Sequence, residues 1–261
     1  MKKRSIALLL LLVLLTGCGA KTEEAPWQAA YRETGKYLQE QDTLSAGSVG
    51  GEWAVIGLSR AGLLSDEVAQ RYEITAEDYV KQADSGRLDR AKSTENSRTI
   101  LGLTAAGYNA ADVAGVDLTS GLSDMNYLRI QGLNGPIWAL IALDCHSYDI
   151  PQCAEGGEQT TREGLVAEIL TSQCSDGGWT LAGDTADVDM TAMALTALAP
   201  YKDDAEVKAA VDAALAYLSD AQQEDGGFMS WGTANSESCA QVIVALTALG
   251  IDPAADARFT K

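Results

Sequence analysis

The sequence predicts an all-α fold, an α/α toroid built from helical hairpins, of which about five are visible. Three observations lead there. Apolar segments recur along the whole chain without the period-two alternation of strands, and they read as helices. They come in two kinds: amphipathic segments carrying charges, which suit a surface, and segments apolar on nearly every face, which suit a buried position. Finally, a unit recurs at roughly 50 residues, the signature of a repeat architecture. Gln173-Cys174-Ser175-Asp176-Gly177-Gly178-Trp179, a loop and an apolar helix over 187–199 are followed by Gln222-Gln223-Glu224-Asp225-Gly226-Gly227-Phe228, a loop and an apolar helix over 235–249.

The N-terminus stands outside this pattern. Lys2, Lys3 and Arg4 precede an apolar run over residues 6–15, the layout of an export signal and too short for a comfortable membrane span. Leu15-Thr16-Gly17-Cys18 resembles the bacterial lipobox, in which the cysteine is diacylated and becomes the first mature residue. The expected organisation is a lipoprotein signal peptide over 1–17, a lipidated tether over 18–26, and a toroid domain over 27–261. Such a chain is extracytoplasmic and anchored to the membrane through Cys18 without spanning it. Processing takes the three basic residues away and moves the formal charge from −18 to −21. So acidic a surface excludes nucleic acid and electrostatic docking on anionic lipid.

The helices follow in order. Residues 27–41 are amphipathic, 46–51 form a glycine-rich turn, and 53–64 are small and apolar. Residues 75–83 have a polar face, with Thr75 and Asp78 as a start signal. Residues 96–106 are again small and apolar, 110–114 form a short acidic helix, and 123–130 precede an apolar segment at 135–143, interrupted near Pro136. Residues 161–173 pair with 187–199, and 203–223 pair with 235–249. Aligning the five apolar segments brings Leu58, Leu103, Leu140, Leu195 and Leu246 into one register. Asn96, Asn134, Asp187 and Asn235 stand where an orphaned first helical turn takes a side-chain cap.

Ile169-x3-Gln173-x3-Gly177-Gly178-Trp179 and Leu218-x3-Gln222-x3-Gly226-Gly227-Phe228 resemble the QW repeat of squalene–hopene cyclases and related prenyltransferase-like toroids. Gly51-Glu52-Trp53 resembles a third, degenerate copy. Asp187-Val188-Asp189-Met190-Thr191-Ala192 is similar to the Asp-x-Asp-Asp-Thr-Ala motif of class II terpene cyclases. The whole is similar to bacterial surface lipoproteins with terpenoid-cyclase or transcobalamin-like toroid domains. Such toroids close with six hairpins, so the resemblance implies a ring incomplete at the C-terminus.

The resemblance implies that Asp189 occupies the place of the general acid, with Asp187 beside it. Met190 replaces the third aspartate, and with it a neighbour that such an acid uses. The residues also admit a plainer reading, in which Asp187 caps the helix and Asp189 faces its positive first turn. Prenyltransferases of this fold hold zinc with Asp, Cys and His; the one histidine, His146, is in a loop, so neither a metal nor a cofactor is expected. Cys153 and Gln159 are six apart where a thioester needs three. Cys145 and Cys153 flank the loop 146–152, a spacing that permits a bridge without requiring one.

Trp231, in a Gly/Ser/Thr-rich loop, with Asn235, Ser236 and Glu237 after it, forms the candidate ligand-binding rim. The expected function is therefore non-catalytic binding of a small molecule (cobalamin-like or isoprenoid, by the resemblance) or of a surface ligand. A terpene cyclase or mutase-like enzyme using Asp189 is the alternative, and a structural surface-display module is a third reading.

Overall fold

The computed structural model describes residues 26–41, 44–83 and 86–260, so the expected leader, Cys18 and most of the expected tether lie outside the described residues. The chain divides into two compact units between residues 40 and 41. The described part of the first is a single helix, α1 (Pro26–Gln39), amphipathic as its sequence predicts, with Trp27 and Tyr31 exposed.

The second unit is all-α apart from one two-residue hairpin. Five of its helices carry the apolar segments: α2 (Val49–Arg60), α4 (Ser93–Ala105), α6 (Asn134–Asp144), α8 (Val188–Leu198) and α10 (Ser236–Ala248). Each packs on the next, α2 on α4, α4 on α6, α6 on α8, and α8 on α10. Their aligned leucines are all buried, so the register read from the sequence is the packing register. Trp53 of α2 and Trp138 of α6 meet with ring centroids 5.2 Å apart, although α4 separates their helices in the packing order.

The outer helices are α3 (Asp66–Lys81), α7 (Arg162–Thr171) and α9 (Ala205–Ala221). The short helix α5 (Met125–Leu128) lies between 3₁₀ turns at Leu118–Leu122 and Arg129–Gln131. It stands where one continuous helix is expected over 123–130. The segment at 110–114 is not helical either; Val113 and Val116 close a tight bridge there.

Several boundaries and partners differ from expectation for local reasons. Helix α3 starts nine residues before Thr75, because Ser65 caps it by accepting from the Val68 N–H. Thr75 sits mid-helix, where its hydroxyl donates to Tyr72 O and accepts from Ala46 N. Gly51-Glu52-Trp53 lies inside α2, capped by Ser48, and is no glycine turn. Pro136 does not interrupt α6, since it falls in the first turn, whose N–H groups lack helical partners anyway. Helices α7 and α9 lie chiefly on the inner helix before them, α6 and α8, while α3 packs evenly on α2 and α4. The connection from α8 to α9 is short and folds straight back, while the glycine turn reaches forward to the following inner helix.

Of the four predicted caps, two are made. Asp187 and Asn235 accept from the first-turn N–H groups of α8 and α10. Asn134 is already helical, after an uncapped Leu133. Asn96 lies within α4 and fastens a neighbouring loop instead, donating to Gly86 O and Leu118 O and accepting from Leu88 N.

Candidate functional site

The site grows out of the glycine turn between α7 and α8. The Gln173 amide donates to Gly177 O at 2.7 Å and to Ala210 O of α9 at 2.9 Å. Gly177 adopts φ +95°, and a Cβ there would stand 2.9 Å from Ala213 O, so only glycine fits. Trp179 is fully buried: its Nε1–H donates to Ile169 O at 2.7 Å, and its backbone N–H to Thr191 Oγ1 at 2.9 Å. The chain then loops out through exposed residues and returns with Asp187 N donating to Trp179 O. That bond places Asp187 at the head of α8.

Asp187 is fully engaged. One carboxylate oxygen accepts from the N–H groups of Asp189 and Met190, at 3.0 and 3.1 Å. The other accepts from Ser230 Oγ at 2.5 Å. Ser230 belongs to the hairpin β1 (Met229–Ser230) and β2 (Thr233–Ala234), which pair antiparallel across a two-residue turn at Trp231 and Gly232. Both turn residues have positive φ, +52° and +75°, the combination of a type I′ turn. An indole in that conformation is unusual, since the left-handed region favours glycine and asparagine. The turn holds Trp231 77% exposed.

The structure thus joins Asp187 to the hairpin that carries Trp231, through Ser230. Asn235 follows at the head of α10, where its Oδ1 accepts from Ser238 N at 2.7 Å. Ser236 and Glu237 are exposed and bonded to each other, Ser236 Oγ donating to Glu237 Oε2. Asp189 is half-buried in the first turn of α8, and its Oδ1 is buried with no hydrogen-bond partner. Tyr217 closes the outer side by donating to Ala186 O at 2.8 Å. Burial, with the Asp187 and Asp176 carboxylates nearby, pushes its pKa up to about 12, so it stays a neutral donor at ordinary pH.

The remaining candidates are elsewhere. His146 is exposed and lies tilted at 51° against the Tyr148 ring, with centroids 5.3 Å apart. Cys145, Cys153, Cys174 and Cys239 are free thiols. Gln159 closes its loop by accepting from Cys153 N and donating to Pro151 O and Thr160 O. Among the described residues, no three His, Cys, Asp or Glu side chains gather as a metal site.

One polar cluster escaped the sequence reading. Glu52 of α2 is fully buried, accepts from Gly47 N at 2.6 Å, and stands 3.2 Å from the guanidinium of Arg98 of α4, which also pairs with Glu95 at 2.6 Å. The approach of Arg98 Nε to Glu52 has the distance of an ion pair without hydrogen-bond alignment. Burial pushes the Glu52 carboxyl pKa up, against the opposing pull of Gly47 N–H and Arg98. A shallow depression of about 270 Å³ opens at the other end of these helices, lined by Ser59, Leu64, Asp66 and Ala106 among others. It lies at the C-terminal ends of α2 and α4, whereas the rim residues above sit at the N-terminal ends of α8 and α10. No helix of the described residues is long and apolar enough to cross a membrane. No family model, curated protein or solved structure matches the chain.

Proposed function

We propose that the chain is a lipid-anchored, extracytoplasmic toroid domain of the QW-repeat type that binds a ligand and carries out no reaction on it. The ligand is a small molecule of cobalamin-like or isoprenoid kind, or a component of the cell surface. It meets the rim formed by the heads of α8 and α10 and the Trp231 hairpin. The unbroken succession of five apolar helices and the two glutamine-anchored turns support the toroid part of this reading.

The observation that carries the binding reading is the state of Asp187. Its three accepted hydrogen bonds make it a cap and a hairpin fastener, leaving Asp189 without a second carboxylate able to share a proton. Beside it, an indole is displayed to solvent on a tightly specified turn, an arrangement suited to stacking on a ligand. The test is a thermal-shift panel with cyanocobalamin, farnesol and squalene, repeated on Trp231→Ala. A shift in the parent chain that is lost in the variant is expected. Absence of any shift favours a structural display module instead.

One observation favours the enzymatic alternative: the buried Oδ1 of Asp189 accepts no hydrogen bond, so that oxygen is not committed to holding the fold. Turnover of squalene or a prenyl diphosphate that disappears in Asp189→Asn would establish it and overturn the binding reading.

A further inference from the structure

The five inner helices repeat one asymmetric contact, and the two ends of the array expose its two halves. Consider the position three residues before each aligned leucine. Val55, Ile100, Ile137 and Ala192 are all 0% exposed, while Ile243 of α10 is 50% exposed. At the position one residue before the leucine the pattern reverses. Gly102, Ala139, Ala194 and Ala245 are buried, and Gly57 of α2 is exposed.

These positions point in opposite directions. They differ by two residues, or about 200° around a helix. A Cβ on Gly102 would meet Tyr72 Oη of α3 first and the Glu52 side chain of α2 at 3.3 Å, so the small-residue position faces the helices that precede it, α2 together with α3. The branched-residue position therefore faces the following one. Each internal junction sets a mostly branched side chain on one helix toward a glycine or alanine on the next. At the ends, Ile243 is half exposed with no helix of the described residues against it, and Gly57 has only open space where a Cβ would be. Ala240, Val244 and Thr247 extend the uncovered face of α10, and Gly50 that of α2.

The outer layer at the α10 end is already filled. The Gln222 amide donates to Gly226 O and to Phe259 O, and Ser219 Oγ donates to Arg258 O. Gln173 makes the same pair of bonds to Gly177 O and Ala210 O, and both longer bonds reach 37 residues along the chain. Residues 252–260 thus stand where the next outer helix would stand. What the edge still accepts is one inner helix with a small-residue face.

We propose that the α10 edge of one copy of this chain takes the α2 edge of a second copy, continuing the internal junction from molecule to molecule. The contact is head-to-tail, so it uses a different surface on each copy and leaves one free edge of each kind at the ends of an assembly. This inference concerns the edges of the helix array and is independent of the ligand reading.

The test is sedimentation velocity of the purified, unlipidated chain (Cys18→Ser) over a concentration series, with Ile243→Glu and Gly57→Glu. Self-association is expected in the parent. Each single variant should weaken it by more than about tenfold, as loss of a central apolar contact does. Mixing the two variants in equal amounts restores one competent α10–α2 junction, so a dimer that grows no further is expected. A parent chain that stays monomeric throughout overturns the proposal. So does a Gly57→Glu variant that associates like the parent, because that result assigns the contact to two α10 edges. Circular dichroism checks folding, and Ile243→Gln replaces the glutamate should that variant unfold.

Discussion

The turns at Gln173–Trp179 and Gln222–Phe228 have the same internal bonding and different surroundings. In both, a glutamine amide donates to the first glycine's carbonyl and to a second carbonyl far along the chain. The backbone also agrees: Cys174 N donates to Gly178 O, Gln223 N to Gly227 O, and Gly177 and Gly226 both have positive φ. Around the first turn the structure is closed. A Cβ on Gly178 would stand 2.5 Å from Thr191 Oγ1 and 2.6 Å from Ala186 Cβ, and Trp179 has no exposed surface. Around the second, a Cβ on Gly227 would meet only the Asp225 side chain, and the long bond ends on the tail residue Phe259. Local sequence therefore determines the shape of the turn, while neighbours decide how much stability hangs on it.

Truncating the aromatic residues should separate the two turns most. Trp179→Ala removes a fully buried side chain and its bond to Ile169 O, and a loss of about 4–5 kcal/mol is expected from denaturant unfolding. Phe228→Ala, a smaller ring with no polar anchor, should cost about 3 kcal/mol. Equal losses would mean that the indole bond contributes nothing. Adding a methyl group gives the next largest contrast. Gly178→Ala forces a clash in the packed turn and should cost about 1–3 kcal/mol. Gly227→Ala presses only on a side chain that can rotate away and should stay within about 0.5 kcal/mol of the parent.

The same distinction explains what the sequence disclosed. A turn fastened by side chains to nearby backbone needs fixed residues at fixed spacing, so both glutamine turns and the helices they join were legible. Five leucines in one register gave the inner array, because each inner helix packs on the next through the same kind of contact. Contacts between distant side chains leave no such spacing. Ser230 on Asp187 and Arg98 between Glu52 and Glu95 join residues 43, 46 and 3 apart with no recurring pattern. Asn96 and Asn134 mislead for a related reason: an asparagine near a helix start reads as a cap whether its partner is the first turn or a loop elsewhere. Asp187 was legible as a cap, but its third bond, which bears most on function, depends on where a hairpin 43 residues away comes to lie.

Removing the glutamines should produce a smaller separation. Gln173→Ala removes two hydrogen bonds, to Gly177 O and to Ala210 O of α9, a helix that cannot move off, and about 1–3 kcal/mol is expected. Gln222→Ala releases Phe259 O, which water reaches once residues 252–260 lift. Its cost should fall below about 1 kcal/mol globally and appear as faster amide exchange confined to that segment. Protection lost throughout α9 in the second variant would show that both turns are equally built into the core.

The smallest effect belongs to Gly51-Glu52-Trp53, the stretch that resembles these turns in sequence and is helical in structure. Its acid is buried rather than displayed, among Arg98, Glu95, Tyr72 and Tyr79. Burial raises the Glu52 pKa in the folded chain, so the folded state holds this proton to higher pH than the unfolded state does. The stabilisation that follows is complete below the ordinary glutamate pKa of about 4.3 and is lost as pH rises from there through the raised value. Glu52→Gln keeps an acceptor for Gly47 N–H and cannot titrate. Relative to the parent, the variant should therefore gain stability as pH increases across that window, read from urea midpoints at successive pH values. A parent and variant that run parallel would mean that Arg98 fully compensates the buried charge. Glu52 would then act as Gln173 and Gln222 do, as a fastener indifferent to pH.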